Sequence, residues 1–151
     1  MRQCAKAIDV TRDGPTGRKA WPQELQDEFE KNQFNSAVGT MLVSETDRVR
    51  IWHFHLPAGE RYTFHRHVLD YFWTCHSSGK ARGYYDDGRI VDVEHYPGHT
   101  QHFTFKRGAY FCHSVENIGD TDLLFTTVEF LDSSVNEPLP VGDDDRLKSP
   151  I

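Results

Sequence analysis

Residues 59–67 read GERYTFHRH and residues 113–120 read HSVENIGD, and these two stretches decide the fold. The first stretch places His65 and His67 two apart in a segment that we predict to be a strand. Side chains two apart in a strand point to the same face, with Cα atoms about 6.5–7 Å apart. Two imidazoles can therefore converge on one ion at about 2.0–2.2 Å from each nitrogen. Because two ligands do not close a site, a distant third is needed, and His113 at the start of the second stretch is the candidate.

The two stretches resemble the two sequence motifs of the cupin superfamily. The first motif is matched by Gly59, by His65-x-His67 after five further residues, and by Gly79 after a strand; the second is matched by His113, Asn117 and Gly119-Asp120. The match extends over roughly residues 48–131. The resemblance implies an all-β chain, namely a cupin double-stranded β-helix or jelly-roll barrel with a short N-terminal arm or helix. It also implies a divalent metal ion on His65, His67 and His113.

The sequence departs from the cupin pattern where a fourth ligand is expected. Cupins usually carry a glutamate four or five residues after the second histidine, and these positions hold Tyr71 and Phe72, with Asp70 as the nearest carboxylate. In a strand, Tyr71 and Phe72 face opposite ways, so only one of them enters the barrel. If Phe72 points inward, the pocket is partly apolar. If Tyr71 points inward, its phenol supplies a general acid or a weak ligand. Asp70 is the other candidate to complete the site, and both Asp70 and Tyr71 are candidate catalytic residues.

Three neutral imidazoles would leave a divalent ion with two net positive charges. This excess favours anionic chelators and acidifies bound water. The ligand set resembles that of the three-histidine cupin dioxygenases, which implies Fe(II) as the first candidate ion, with Zn, Ni, Mn or Cu as alternatives. We therefore expect a mononuclear metal-dependent enzyme, oxygenase-like, that acts on a small organic acid or carbonyl compound. A non-catalytic cupin that binds a small ligand, and a metal-dependent isomerase or lyase, stay open as alternatives.

All nine histidines lie between residues 53 and 113. His53-x-His55 is a second same-face pair, but it lacks the glycine that precedes the first motif, and we expect ordinary strand residues there. We place the remaining four at the mouth or surface of the barrel, where one of them could line the pocket and shuttle protons. These four are His76, His95, His99 and His102.

The chain divides into three predicted zones: an N-terminal arm over residues 1–33, a barrel over 34–131 and a solvated C-terminal tail over 132–151 that wraps the barrel or stays loose. The arm contains one predicted short helix from Trp21 to Gln33, with Pro22 in its first turn. Short strands separated by turn signals, without helical periods between them, indicate an all-β sandwich or barrel. The predicted strands include Ala37 to Val43, Val49 to Leu56, Leu69 to His76, Ile90 to Tyr96 and Leu123 to Leu131.

Composition excludes several partners. The 151 residues carry a net charge of −6 with no basic run, so we expect neither nucleic acid nor a membrane as partner, only a small-molecule ligand or substrate. Three cysteines without a CxxC spacing, and no signal-peptide or spanning segment, predict a reducing, cytoplasmic location. We also expect a homodimer, in which the segment from about Ser36 to Val43 pairs with the sheet edge of a second copy.

Overall fold

The computed structural model describes residues 5–6 and 17–147, and ten strands, one α-helix and two short 3₁₀ turns lie within them. The strands are β1 Ala5–Lys6, β2 Met41–Glu45, β3 Val49–Leu56, β4 Glu60–His67, β5 Tyr71–Cys75, β6 Gly79–Tyr85, β7 Ile90–His95, β8 Thr100–Phe103, β9 Phe111–Asn117 and β10 Leu123–Phe130. The helix, α1, spans Gln23–Lys31, and the 3₁₀ turns span Arg18–Ala20 and Asp143–Asp145.

The strands form two five-stranded antiparallel sheets. The first sheet has the order β1-β4-β9-β6-β7 and the second the order β2-β3-β10-β5-β8. Strands distant in sequence are neighbours, as in the β3–β10 pair, which runs in register from Val49↔Phe130 to Leu56↔Leu123. Apolar side chains from both sheets meet in a shared core of Phe54, Leu56, Tyr62, Cys75, Ala81, Leu123 and Phe125. The expectation of an all-β chain is therefore confirmed.

Most predicted strands coincide with observed ones, and the differences lie at their ends. β3 has the predicted bounds, whereas β5, β7 and β10 are one to three residues shorter than predicted. The strand predicted from Ala37 begins only at Met41, because residues 37–40 run beside β3 with a single ladder-like bond, Thr40 N–H to the His53 carbonyl at 2.9 Å. The two-residue β1 and the strands β6 and β8 were not among the predicted runs.

The predicted N-terminal helix is confirmed, in a shorter form, and it covers the outer face of the first sheet. Leu25 and Phe29 of α1 pack with Trp21 against Phe64, Tyr84 and Cys112 of that sheet. The Trp21 and Phe64 rings stack with centroids 5.5 Å apart. At nine residues α1 is short, and no helix in the described part of the chain is long and apolar enough to cross a membrane.

A bulge in β4 decides which of its side chains enter the barrel. Across β9, Tyr62 pairs with Val115 and His65 with His113, so β4 has one residue more than β9 between these two pairs. Such an extra residue shifts the alternation of side chains by one position. Tyr62 therefore faces the same interior as His65, and their ring centroids lie 5.3 Å apart.

The C-terminal segment wraps the barrel as far as the structure describes it. Asn136 Nδ2 donates to the Val68 carbonyl at 3.0 Å, and Leu147 N–H donates to the Leu42 carbonyl at 2.8 Å. The second bond occupies part of the outer edge of β2, within the segment where we predicted pairing with a second copy. The homodimer stays a prediction, as does the division of the chain into arm, barrel and tail.

Candidate metal centre

Neighbouring strands of the first sheet bring the three predicted ligands together. His65 and His67 lie on β4, and His113 lies opposite His65 on β9. The ring centroid of His65 is 5.0 Å from that of His67 and 4.6 Å from that of His113. One nitrogen of each ring belongs to a group whose members all lie within 4.8 Å of one another. The three histidines that the sequence proposes as ligands therefore lie together in the fold.

The distance between two of the rings is that of two ligands on one ion. His67 Nε2 and His113 Nε2 lie 3.1 Å apart. Two nitrogens bound to the same ion at about 2.1 Å, with an angle of roughly 90–110° between the bonds, lie about 3.0–3.4 Å apart. The pair therefore needs almost no rearrangement to hold a metal.

A backbone carbonyl sets the orientation of the third ring. His65 Nδ1 lies 2.9 Å from the Thr63 carbonyl oxygen, which can only accept a hydrogen bond. The ring proton of neutral His65 therefore resides on Nδ1, and Nε2 carries the lone pair. Metal-ligating histidines typically have their second nitrogen bonded in this way, which fixes the tautomer and the ring plane.

Burial keeps His67 and His113 neutral and leaves one nitrogen of each ring without a partner. Burial lowers the pKa of His67 well below its ordinary value, and nearby His65 and His113 lower it further. Burial, followed by the neighbouring His65, lowers the pKa of His113 in the same direction. Nδ1 of His67 and Nδ1 of His113 are buried without a hydrogen-bond partner. Neutral imidazole is the form that binds metals, so the donor set fits a divalent transition-metal ion.

The structure answers which of Tyr71 and Phe72 enters the barrel. Tyr71 is 2% exposed and stacks on His67, with ring centroids 4.2 Å apart and planes at 14°. Its other face stacks on Phe103 at 4.5 Å. Phe72 points to the outer side, where its ring contacts His102 and Phe130. The position where cupins usually have a glutamate therefore presents a phenol to the site.

The phenol of Tyr71 is kept protonated. Burial raises the pKa of Tyr71 well above its ordinary value, and the nearby Tyr85 and Glu129 add to the rise. A protonated phenol can donate a hydrogen bond or a proton but is a poor anionic ligand. The geometry is compatible with the predicted general acid, and a catalytic role for Tyr71 stays a prediction.

Asp70 lies apart from the three histidines. Its Oδ1 accepts the backbone N–H of Phe105 at 2.9 Å, and its own N–H donates to Ser134 Oγ at 2.8 Å. Asp70 does not line the cavity beside the histidines and does not belong to their cluster. These bonds give the carboxylate a structural role in the loop after β4, and its predicted catalytic role stays without support from the geometry.

The histidine cluster forms one wall of a cavity between the two sheets. The cavity encloses about 740 Å³, its open mouth included. The lining contains no Asp, Glu, Lys or Arg from the described residues. Apart from the histidines its polar members are Tyr71, Tyr85, Gln101 and Thr127, and the rest are glycine or apolar. A metal ion would therefore be the main charge in this cavity.

The other histidines occupy two different places. His53, His55, His76 and His102 are exposed on the outer side of the second sheet or at its rim, as expected for ordinary strand residues. His95 lines the cavity, and its Nδ1 lies 3.1 Å from Nδ1 of His99. We expected that one of the four mouth or surface histidines could line the pocket, without specifying which. The signal was the four-residue spacing of this pair around the Pro97-Gly98 turn.

Comparison with known proteins places the fold. No family model matches the chain, and no curated protein matches it in sequence. A cupin domain protein from Bordetella pertussis Tohama I superposes with a TM-score of 0.51 at 23% identity, over 58% of this chain and 85% of that protein. An RmlC-like cupin with a double-stranded β-helix fold from Methanocaldococcus jannaschii aligns over 85% of this chain and 93% of its own, at 17% identity and a TM-score of 0.49. The architecture of two antiparallel sheets and the Bordetella match together show that this chain has the cupin fold, a double-stranded β-helix.

Proposed function

We propose that the protein is a mononuclear metal-dependent enzyme, oxygenase-like in its chemistry, that acts on a small organic acid or carbonyl compound with an apolar or aromatic body. One observation carries the proposal: three histidines, of which burial keeps His67 and His113 neutral, converge on the wall of a cavity that has no charged side chain in its described lining. Functional sites in folds of this kind are concave and mostly apolar, with a few convergent polar groups.

The ligands of the proposed ion are His65, His67 and His113. A bound divalent ion would supply a Lewis acid with open coordination positions, and Fe(II) in such a site suits oxygen chemistry. Zn, Ni, Mn and Cu also accept imidazole ligands, so metal analysis of the purified protein must identify the ion. The Thr63 carbonyl would hold the His65 ring in its ligating tautomer.

The lining of the cavity restricts the substrate. Phosphates and dicarboxylates are usually bound by Arg or Lys in addition to a metal, and no Arg or Lys among the described residues lines the cavity. An enolate, a thiolate or a catecholate can instead be neutralised by the doubly charged ion alone. The aromatic walls formed by Tyr71, Trp73 and Phe103 would then cover the rest of the molecule.

Tyr71 is the residue we propose to act on the bound molecule. Its stacking between His67 and Phe103 fixes the ring, and the burial that raises its pKa keeps the proton on the phenol oxygen. We propose that this phenol donates a hydrogen bond to the developing negative charge on the substrate. Asp70 has no part in the proposal, because its carboxylate is bonded to the Phe105 backbone.

The test starts with metal analysis of the purified protein and continues with the Fe(II)-loaded form. We expect one transition-metal ion per chain, lost in a His113→Ala variant, and oxygen uptake with at least one member of a panel of diketones, thiols and aromatic diols. Protein that holds no stoichiometric metal, and takes none up, would overturn the proposal.

The two alternatives are separated by the same panel. Turnover that continues without oxygen would show that the protein is a metal-dependent isomerase or lyase and not an oxygenase. Tight binding of a panel compound without any turnover would show that the protein binds a small ligand and is not an enzyme for it.

A further inference from the structure

A second pair of histidines belongs to the cavity but not to the metal centre. His95, at the end of β7, lines the cavity and is 7% exposed. Its Nδ1 lies 3.1 Å from Nδ1 of the half-buried His99. This contact leaves Nε2 of His95 for another partner, and no hydrogen bond from the described residues occupies that atom.

The fold holds this pair in place. Gly98 has φ of 90°, a conformation that side-chain-bearing residues rarely adopt, and it turns the chain between the two histidines. Gly98 N–H donates to the Cys75 carbonyl and Cys75 N–H donates to the His99 carbonyl, both at 2.8 Å. The Trp73 ring meets His95 and His99 edge-on at 5.2 and 5.0 Å. Backbone hydrogen bonds and packing against Trp73 therefore fix the position of His95.

The pair lies at the opposite end of the cavity from the metal centre. In the first sheet, Tyr85 of β6 lies opposite His113 of β9, and Gly79 of β6 lies opposite His95 of β7. These two positions are six residues apart on β6, and therefore about 20 Å apart along the strand. The same cavity touches both histidines, so its two polar ends lie toward opposite ends of β6.

The walls between the two ends differ on the two sheets. On β6 the intervening stretch is lined by Ala81 and by Gly83, against which the Tyr85 ring lies. On the second sheet Trp73 follows Tyr71 on the same face of β5, and it connects the ring that stacks on His67 with the His95–His99 pair. This arrangement suits a long, flat apolar body.

The chemistry of His95 selects the group it can bind. Burial, with the neighbouring His99 as a second cause, lowers the pKa of His95 to about 4, so the ring is neutral at neutral pH. A neutral imidazole is a poor partner for a carboxylate, and no Lys or Arg from the described residues lines this cavity beside it. Its Nε2 either donates or accepts, depending on which ring of the pair holds the shared proton. A hydroxyl group can both donate and accept, and it satisfies Nε2 in either tautomer.

We propose that the cavity binds an extended small molecule that chelates the metal ion at His65, His67 and His113 with one end and carries at its other end a hydroxyl group that is bound by His95. This inference rests on the proposed function, because it assumes that the histidine cluster holds a metal. It adds the length of the substrate and the chemical nature of its distal end.

The test uses synthetic chelators of known structure on the zinc-loaded full-length protein. Hydroxamic acids with a phenyl or a 4-hydroxyphenyl group on linkers of two to six carbons form matched pairs that differ by one distal hydroxyl. At one linker length we expect the hydroxyl to tighten Kd by about five- to ten-fold, the contribution of one hydrogen bond in a protected site. In His95→Phe this gain should vanish while the phenyl compound binds as before.

Two further variants complete the design. His95→Gln keeps a polar amide and should recover part of the gain, and His102→Phe, on the outer face of the second sheet, should leave it intact. Binding of the phenyl compound reports that each variant is folded and metal-loaded. A hydroxyl gain that is absent at every linker length, or that survives in His95→Phe, would overturn the inference and leave the metal centre standing. If no hydroxamate binds to the zinc-loaded wild type, the inference is wrong, whereas the proposed function is judged separately by metal content and oxygen uptake.

Discussion

His65 and His113 face each other across the β4–β9 pairing, with ring centroids 4.6 Å apart. His113 also lies 3.1 Å, nitrogen to nitrogen, from His67. The ring on β9 therefore contacts both rings on β4, and the cluster depends on a single register between two strands.

Replacing His113 by alanine should abolish metal binding. Only two protein ligands then remain for the ion. We expect metal affinity to fall by at least about 100-fold, because losing an outer-shell partner already costs 10–100-fold. Competition with a chromophoric chelator measures this change. His102→Ala, on the exposed side of β8, is the matched control and should keep wild-type affinity. Equal affinities in the two variants would contradict the assignment of His113.

Much of the site could be predicted because strand geometry converts spacing directly into position. A two-residue step keeps His65 and His67 on one face whatever the rest of the fold does. Two features escape this rule. The β4 bulge brings Tyr62 onto the same face as His65, and a bulge depends on the partner strand, which the sequence of β4 does not reveal. Whether Tyr71 or Phe72 faces inward depends in the same way on how β5 is registered between β10 and β8.

The missed strands have a different explanation. β6 reads GKARGYY, in which the two glycines, the lysine and the alanine have low strand propensity. It is nevertheless a strand because it pairs along its length with both β7 and β9. β8 has four residues, too few for any period to be recognised. The role of His95 could not be predicted either, since its contact with the cavity depends on β6 being the strand beside it.

Replacing Tyr71 by phenylalanine should separate chemistry from packing. Phenylalanine keeps the stacking on His67 and Phe103 but removes the phenolic proton. If the phenol acts as a general acid, kcat should fall by about 100-fold or more, with the metal content and the free energy of unfolding nearly unchanged. Steady-state kinetics on the substrate identified in the oxygen-uptake panel, together with metal analysis, provide the measurement.

The neighbouring position supplies the control for this experiment. Phe72→Ala removes a ring from the outer face, where it contacts His102 and Phe130. We expect a loss of stability but an unchanged kcat. A Tyr71→Phe enzyme with wild-type kcat would show that Tyr71 serves packing alone.

The ion pair between α1 and β4 should contribute strongly to stability. Arg61 is 1% exposed, and both of its terminal nitrogens donate to the Glu28 carboxylate, at 2.6 and 2.7 Å. Glu28→Ala leaves a buried guanidinium without its counter-charge, which typically costs about 3–5 kcal/mol. Urea unfolding should show this loss, whereas Glu30→Ala, exposed on the same helix, should change stability by less than about 0.5 kcal/mol. A similar small effect in both variants would mean that Arg61 finds another partner.

The raised pKa of Glu129 should make the stability of the protein depend on pH. Its carboxyl is 3% exposed and accepts the Trp52 indole N–H at 2.7 Å. Burial raises the pKa of Glu129 from its ordinary 4.5 to about 7, against the opposing hydrogen bond from Trp52 and the charge of Arg50. The folded protein therefore holds a proton that the unfolded chain has already released between pH 4.5 and 7. Its contribution to stability is fully present below pH 4.5 and is lost as pH rises through 7.

A glutamine at position 129 removes this titration while keeping an oxygen for Trp52. Each unit of raised pKa corresponds to about 1.4 kcal/mol, so Glu129→Gln should gain about 3 kcal/mol relative to wild type between pH 4.5 and pH 8. Urea unfolding of both proteins at a series of pH values measures the difference directly, and the other titrating groups, common to both, cancel. A difference between the two proteins that does not change with pH would mean that the pKa of Glu129 is not raised on folding, and that Trp52 and Arg50 stabilise the charge at least as much as burial opposes it.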